Sequence, residues 1–213
     1  MNILLVGATG ATGKDLLDLL IKDESIKRID IFVRRDIAFQ NDKLHVNIVD
    51  FDKPEQWKHL VKGDVLFSCL GTTLKAAGSK EEQKKVDYHY QYQFAKSAKE
   101  NNVNTYILVS SDYASTKSAF FYSRMKGQLE EDVKVLNFPR LIIFNPPILL
   151  RKGSNRKAEV VSTKVLKFLN SLGLLKSSKP LATELLAKAL LNSIKMPGKA
   201  VQSIKGQEIM KYV

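Results

Sequence analysis

Three tyrosine–lysine pairs in this sequence have the spacing Tyr-x-x-x-Lys, which puts both side chains on one face of a helix. The pairs are Tyr92/Lys96, Tyr113/Lys117 and Tyr122/Lys126. A phenol with a pKa of about 10 is a poor acid or base at neutral pH, and a nearby ammonium lowers that pKa by stabilising the phenolate. A neighbouring serine hydroxyl can hydrogen-bond a substrate oxygen whose charge changes. These residue types indicate proton transfer at a carbonyl or hydroxyl group.

Position along the chain separates the three pairs. Tyr92 lies in a predicted helix before the fifth predicted strand, and Tyr113 follows that strand in a Ser/Thr-rich loop. Tyr122 begins a predicted helix over residues 122–133 that can return over the strand ends. The fifth strand ends at Ser110 and Ser111, and either hydroxyl can approach from there. Tyr122 and Lys126 are therefore the predicted catalytic pair, with one of the two serines.

The glycines Gly7, Gly10 and Gly13 form a second group that can carry chemistry. They follow an apolar run of strand length at residues 3–6 and precede a helical pattern of leucines. Such glycines allow a sharp turn, close backbone approach to a pyrophosphate, and close packing of helix and strand. The helix N-terminus adds unpaired N–H groups for the phosphates. The stretch is predicted to bind a dinucleotide.

The end of the second predicted strand indicates which dinucleotide. An acidic residue about 20 positions beyond the glycines usually holds the ribose 2′-hydroxyl. Here Arg34 lies 21 residues after Gly13, followed by Arg35 and Asp36. A guanidinium can pair with a 2′-phosphate that a carboxylate would repel, so NADP(H) is favoured over NAD.

After the third strand, Asp50 is either an edge of the adenine pocket or a turn residue.

Apolar runs alternate with helical patterns along most of the chain. The predicted strands cover residues 3–6, 26–33, 44–49, 64–70, 103–109 and 140–150, with a second small-residue turn at 71–73. This alternation predicts an α/β fold with a doubly wound parallel sheet, Rossmann-like, and a small C-terminal helical cap. We expect a single domain over residues 1–213, in which 151–213 form a substrate-side extension. Further helices are predicted over residues 158–172 and 180–194.

The net charge of +12 is unevenly distributed. Residues 151–213 hold 13 Lys or Arg against 3 Asp or Glu, whereas residues 1–150 are nearly balanced. This asymmetry fits a solvated lysine-rich surface, steering of an anionic small-molecule substrate, or docking on an acidic protein partner. Lys164 and Lys167 are the lysines expected at the rim of the cleft. No nucleic-acid-binding motif supports a nucleic-acid partner.

Composition and the N-terminal residues bear on disulfides, membrane spans, metal sites and cellular location. The single cysteine, Cys69, excludes an intrachain disulfide framework. The N-terminal apolar run is too short for a signal peptide or a membrane span, and no basic region precedes it. The three histidines lack metal-ligand spacing, so no metal site is expected. Together these features predict that the protein is located in the cytoplasm.

Five stretches together resemble the atypical short-chain dehydrogenase/reductases, with the closest likeness to the oxidoreductase HTATIP2 (TIP30) group. The resemblance covers nearly the whole chain and rests on the three glycines, Cys-Leu-Gly-Thr-Thr at 69–73, the serine pair, Phe-Tyr-x-x-x-Lys-Gly at 121–127 and Phe-Asn-Pro-Pro-Ile-Leu-Leu at 144–150. It implies NADPH contacts from Thr9, Gly10, Ala11, Thr12, Arg34, Arg35, Leu70, Gly71, Tyr122, Lys126, Leu149 and Arg156. It also favours Ser111 over Ser110 as the serine that hydrogen-bonds the substrate oxygen. The chain departs from the family at Asn145, where an arginine is usual.

The sequence thus predicts an NADP-dependent oxidoreductase that transfers a hydride between the nicotinamide and a carbonyl or carbinol carbon. In this prediction Tyr122 exchanges the proton with the substrate. Lys126 lowers the pKa of the Tyr122 phenol and holds the ribose, and Ser111 orients the substrate oxygen. The alternative is a non-catalytic NADPH-binding regulatory protein that acts through a protein partner. The sequence leaves the substrate and the oligomeric state open.

Overall fold

The structure, a computed structural model, describes residues 1–150 and 180–213. The strands of its main sheet are Asn2–Val6 (β1), Arg28–Val33 (β2), Leu44–Ile48 (β3), Val65–Ser68 (β4), Thr105–Val109 (β5), Arg140–Asn145 (β6) and, near the C-terminus, Val201–Lys205 (β9). All neighbouring strands are parallel, in the order β3-β2-β1-β4-β5-β6-β9.

Helices cover both faces of this sheet. They are Ala11–Lys22 (α1), Pro54–Trp57 (α2), Leu74–Ala77 (α3), Lys80–Lys84 (α4), Gln91–Glu100 (α5), Phe121–Val135 (α6) and Thr183–Ser193 (α7). One buried cluster joins α1 and α7 to the sheet, and a second joins α5 and α6 to the opposite face. The predicted doubly wound parallel sheet is confirmed, and a C-terminal helix is present.

Burial explains the long apolar runs in the sequence. Strands covered on both faces need apolar side chains at successive positions, and Ile3 to Val6 of β1 are all inaccessible to solvent. In α1 the leucines at 16, 17 and 20 are buried, which accounts for the helical repeat that follows the glycines. The first strand and first helix are therefore held rigidly on either side of the glycine turn.

The predicted sixth strand is shorter than its apolar run. β6 ends at Asn145, since Pro146 and Pro147 lack the N–H groups that a sheet ladder needs. The chain then forms a separate pair of short parallel strands, Leu149–Leu150 (β7) and Leu181–Ala182 (β8).

The C-terminal residues 180–213, assigned from sequence to a substrate-side extension, contribute to the main sheet and its core. Helix α7 packs into the same buried cluster as α1, and β9, which the sequence did not predict, lies beside β6. A 3-10 turn, Gly206–Tyr212, follows β9. The predicted helix over residues 158–172, with Lys164 and Lys167, lies outside the described residues.

The long helix predicted before the fifth strand is divided. Ser79 caps α4 by accepting a hydrogen bond from the backbone N–H of Glu82 (3.1 Å), and a π-helical turn, Lys85–Tyr90, separates α4 from α5. π-Helical turns occur frequently at functional sites because they re-aim side chains. In this protein the turn contains Asp87, which is completely buried.

The topological switch point lies between β1 and β4: successive strands are added outward on one side of β1 as far as β3, and on the other side from β4 onward. Gly7, with φ of +88°, leaves β1 there, and a Cβ on it would lie 2.5 Å from the carbonyl carbon of Cys69 after β4. A Cβ on Gly13 in α1 would lie 2.1 Å from the Gly7 carbonyl oxygen. Glycine is required at both positions because neighbouring backbone, rather than a movable side chain, occupies the space.

We predict that Gly13→Ala lowers the free energy of unfolding by about 3 kcal/mol or more, because backbone segments must separate to admit the methyl group. Gly10→Ala is the matched control in the same turn, since its Cβ would lie 3.3 Å from the Gly7 oxygen. We expect it to cost about 1 kcal/mol or less. Urea unfolding monitored by circular dichroism measures both, and equal losses would contradict the packing argument.

Candidate functional site

A cleft of about 940 Å³ opens at the carboxyl ends of β1, β4 and β5. Parallel sheets of this type bind ligands at that position. Its walls include most of the residues that the sequence singled out: Thr9, Gly10, Ala11, Thr12, Leu70, Gly71, Ser110, Ser111, Tyr122, Lys126 and Leu149. The fold therefore brings the glycine turn and the Tyr122–Lys126 pair into one cavity.

The N-terminus of α1 forms one end of the cleft. Gly10 is its N-cap and has no side chain to bond the first helical amides. The turn is closed by the Gly10 N–H, which donates to the Gly7 carbonyl oxygen (3.0 Å). Amides at an uncapped N-terminus, together with the helix dipole, favour an anion such as a pyrophosphate. Because Cβ atoms at Gly7 and Gly13 would clash with backbone, this cradle fits a dinucleotide of the kind the sequence predicted.

The turn after β4 forms the opposite edge of the cradle. Leu70, Gly71 and Thr72 line the cleft, and the Thr72 N–H donates to the Asp87 carboxylate (3.2 Å). Thr73 caps α3 by accepting from the N–H of Ala76 (3.1 Å). Asp87 thus fixes a turn whose backbone faces the glycines.

Lys126 is buried in the wall of the cleft, and Tyr122, which is partly exposed, lines the same cleft. The Lys126 side chain is 2% exposed, and its Nζ lies 3.4 Å from Oδ1 of Asp87, whose side chain is inaccessible. Tyr122, one helical turn earlier in α6, is 38% exposed. The lysine is thus held by a carboxylate that the sequence analysis did not identify.

Burial acts on the ionisation of all three groups. It raises the pKa of the Asp87 carboxyl and lowers the pKa of the Lys126 ammonium, while their mutual attraction opposes both shifts. Although Tyr122 as a whole residue is partly exposed, burial of its hydroxyl raises the pKa of the phenol, and the Asp87 carboxylate raises that pKa further. The pKa of the phenol is thus shifted upward, mainly by burial, whereas the tyrosine–lysine spacing predicted a downward shift.

The two serines at the end of β5 have different partners. Ser110 is buried, and its hydroxyl donates to the Glu130 carboxylate of α6. Asn145 donates to the same carboxylate oxygen (2.6 Å) and to the backbone carbonyl oxygen of Ser111 (3.0 Å). Asn145, which replaces the arginine usual in the resembled family, therefore holds the backbone beside Ser111. Ser111 is half-buried in the cleft wall.

The two rival tyrosines lie in different places. Tyr92 is absent from the cleft lining and stacks on Tyr88, with ring centroids 6.2 Å apart. Tyr113 lines the cleft, while Lys117 lines a separate cavity of about 320 Å³ on the other side of α6. Tyr122 and Lys126 are the tyrosine–lysine pair whose members both line the cleft.

The predicted cofactor-selecting residues lie around the end of β2. Arg34 and Arg35 are exposed just beyond the strand, next to β1. Asp50 is exposed and lies outside the cleft lining; its side chain accepts from the Asp52 N–H (3.0 Å) and pairs with Lys53 (3.3 Å). It therefore occupies a turn. Arg156 lies outside the described residues.

Comparison with known proteins identifies the family. Residues 7–135 match the NAD(P)H-binding family model, and the chain belongs to that family. It is 34% identical to the mitochondrial protein FMP52-1 of Scheffersomyces stipitis over 91% of this chain and 88% of that protein. It is 34% identical to the mitochondrial protein FMP52 of Meyerozyma guilliermondii, over 99% of this chain and 94% of that protein.

Solved structures support the same fold at lower identity. A UDP-glucose 4-epimerase from Thermotoga maritima superposes with a TM-score of 0.71 and 14% identity, covering 100% of this chain and 83% of the other. The oxidoreductase ylbE from Lactococcus lactis gives a TM-score of 0.64 and 19% identity, covering 92% of this chain and 85% of the other. The chain is thus an NAD(P)-binding protein with an oxidoreductase- or epimerase-like fold.

The cytoplasmic expectation is wrong, because the FMP52 relatives are named as mitochondrial proteins. A single cysteine excludes only an internal disulfide and does not distinguish one compartment from another. Among the described residues, no helix has the length and apolar character needed to cross a bilayer. Residues 1–150 and 180–213 contain no group of three or more His, Cys, Asp or Glu arranged for a metal ion.

We predict that Glu130→Ala lowers the free energy of unfolding by about 3 kcal/mol or more, since Ser110 and Asn145 each lose a buried bond to a charged acceptor. Glu131→Ala is the neighbouring control: its exposed pair with Lys134 (2.8 Å) should contribute less than about 1 kcal/mol. Urea unfolding at neutral pH compares the two variants. A loss for Glu130→Ala as small as the control's would contradict the buried network.

Proposed function

We propose that this protein is an NADPH-dependent oxidoreductase of the short-chain dehydrogenase/reductase type acting on a carbonyl or hydroxyl substrate. The observation that carries the proposal is that Ser111, Tyr122 and Lys126 share one cleft with the glycine turn at the switch point. The epimerase-like and oxidoreductase folds among its structural neighbours support the reaction class. The names of the relatives support a mitochondrial location.

The cofactor would be held by this chain's own backbone and basic residues. The amides at the start of α1 would bind the pyrophosphate, and Leu70 and Gly71 would line the opposite side. Arg34 supports the choice of NADPH over NADH, because it is exposed just beyond β2, the strand next to β1, and neither Arg34 nor Arg35 forms an ion pair within the described residues. When bound, NADPH supplies the hydride.

The proton would be exchanged by Tyr122, which lines the cleft. Lys126 would hold the ribose, since it lines the same cleft. Ser111 would donate its hydroxyl hydrogen to the substrate oxygen, since the Ser110 hydroxyl is already committed to Glu130. Asn145 would act indirectly, by fixing the Ser111 backbone.

A non-catalytic NADPH-binding regulatory protein is the second candidate function. One observation favours it: Lys126 is paired with Asp87, and the pKa of Tyr122 is raised rather than lowered. The resemblance of the sequence to the HTATIP2 group also supports it, since that group is associated with regulation as well as reductase character. Assays with a panel of aldehydes and ketones, in which the absorbance of NADPH is followed over time, distinguish a protein that consumes NADPH from one that only binds it.

We predict that NADPH binds more tightly than NADH and that Arg34→Ala weakens NADPH binding about 10-fold or more, because a charge-assisted bond to the 2′-phosphate is lost. Lys27→Ala removes an exposed positive charge at the other end of β2 and should leave affinity unchanged. Calorimetric titration of both cofactors measures this. Equal affinities of the wild type for NADPH and NADH would refute the assignment.

For catalysis, we expect Tyr122→Phe to remove turnover while NADPH affinity changes by less than about twofold, because only the hydroxyl that transfers the proton is lost. Tyr113→Phe is the control from the same cleft and should keep most of the activity. Steady-state kinetics with the best substrate of the panel tests both. Loss of activity in Tyr113→Phe alone would transfer the catalytic role to that tyrosine.

A further inference from the structure

Much of the cleft wall is apolar. Leu74 of α3 and Phe120, just before α6, are 48% and 42% exposed, and both line the cleft. Further apolar lining comes from Ala76, Phe121, Pro146, Pro147 and Ile148. Large apolar side chains left exposed around a concavity are typical of a surface that a ligand covers. The cleft therefore fits a small molecule with an apolar body.

Lys80, the first residue of α4, places a positive charge among these apolar groups. Its Nζ lies 5.7 Å from the centroid of the Phe121 ring, and both residues line the cleft. Phe121 directly precedes Tyr122 at the start of α6. Lys126, the other described lysine of the cleft lining, is paired with Asp87. Lys80 has no carboxylate partner among the described residues, so its charge is uncompensated there.

Gln83 adds a buried polar group beside this charge. It lies three residues after Lys80 in α4, a spacing that puts both side chains on one helix face. Gln83 is 5% exposed and lines the cleft, yet its side-chain amide forms no hydrogen bond with the described residues. A buried amide without a partner costs free energy. Its N–H groups are therefore available to a ligand in the cleft.

We propose that Lys80 and Gln83 recognise a carboxylate, so that the substrate is an apolar carbonyl compound that carries one carboxylate group. The Lys80 ammonium, held over the Phe121 ring by a cation–π contact, pairs with the carboxylate, and the Gln83 amide donates a second hydrogen bond. One uncompensated ammonium matches a single negative charge. The inference rests on the proposed function, because it names the substrate class of the same cleft.

The test compares a carboxylate with its neutral amide, 3-phenylpropanoate with 3-phenylpropanamide, which share the ring and the chain length. Binding of each compound to the protein in excess NADPH is measured by saturation-transfer NMR titration. We expect the wild type to bind the carboxylate about fivefold more tightly, as a partly exposed charge pair allows. Lys80→Met keeps an apolar side chain of similar length. It should abolish the preference and leave amide binding unchanged.

Lys84→Met is the matched control. The Nζ of Lys84 lies 5.8 Å from the ring centroid of Tyr88, but Lys84 does not line the cleft. Both lysines are exposed, so we expect both variants to fold and Lys84→Met to keep the wild-type preference. Gln83→Leu removes the amide donor at similar volume and should weaken carboxylate binding about threefold.

Equal binding of the two compounds by the wild type, absence of saturable carboxylate binding, or a preference that survives in Lys80→Met would overturn the proposal. Weaker NADPH binding by Lys80→Met would also overturn it, because the lysine would then belong to the cofactor site.

These titrations need no turnover, so failure of the proposed enzyme function is distinguishable: a carboxylate preference without NADPH consumption by any substrate would contradict the enzyme function alone. If turnover is found, Lys80→Met should raise the KM for 4-carboxybenzaldehyde about fivefold. The KM for its neutral analogue methyl 4-formylbenzoate, and kcat for both compounds, should stay at the wild-type values.

Discussion

The contact of three backbone segments at the switch point is the constraint on which the rest of the structure depends. The chain leaves β1 at Gly7, passes directly over the backbone of Cys69 after β4, and re-enters α1 where Gly13 touches the Gly7 carbonyl. No side chain fits between these segments. These contacts bring the start of α1 and the turn after β4 to the same cleft, where the uncapped amides of the helix favour an anion.

Helix α6 connects this cradle to the acid–base groups. A helix packed on a sheet normally buries an apolar face, yet α6 buries Lys126 and Glu130 one turn apart beside Met125 and Leu129. Each charged side chain contacts a different part of the site. Lys126 forms an ion pair with Asp87 of the π-helical turn. Glu130 accepts hydrogen bonds from Ser110 at the end of β5 and from Asn145 at the end of β6. Buried charges are costly unless they are paired, so these contacts fix the position of the helix over the strand ends.

Gly127 allows α6 to reach that position. A Cβ there would lie 2.4 Å from the backbone of Ser115 and of Thr116, so the loop after β5 packs directly on the helix. The loop is also hydrogen-bonded to the helix: the Ser115 N–H donates to the Ser123 carbonyl oxygen of α6 (3.0 Å). The same loop contributes Ser111 and Tyr113 to the cleft.

The sequence by itself determined the strand–glycine–helix unit, the alternation of strands and helices, and the Tyr122–Lys126 pair, because these depend on local periodicity and on residue types at fixed spacing. Only the tertiary structure decided what surrounds them. Asp87 and Glu130 look like solvated charges in helical segments, and their burial follows from a π-helical turn and from packing partners distant in sequence. Likewise β9 is a short, mostly polar stretch whose pairing with β6 leaves no local signal. The direction of the pKa shift at Tyr122 also depends on tertiary structure: burial of the hydroxyl raises this pKa, and the Asp87 carboxylate, from another part of the chain, raises it further.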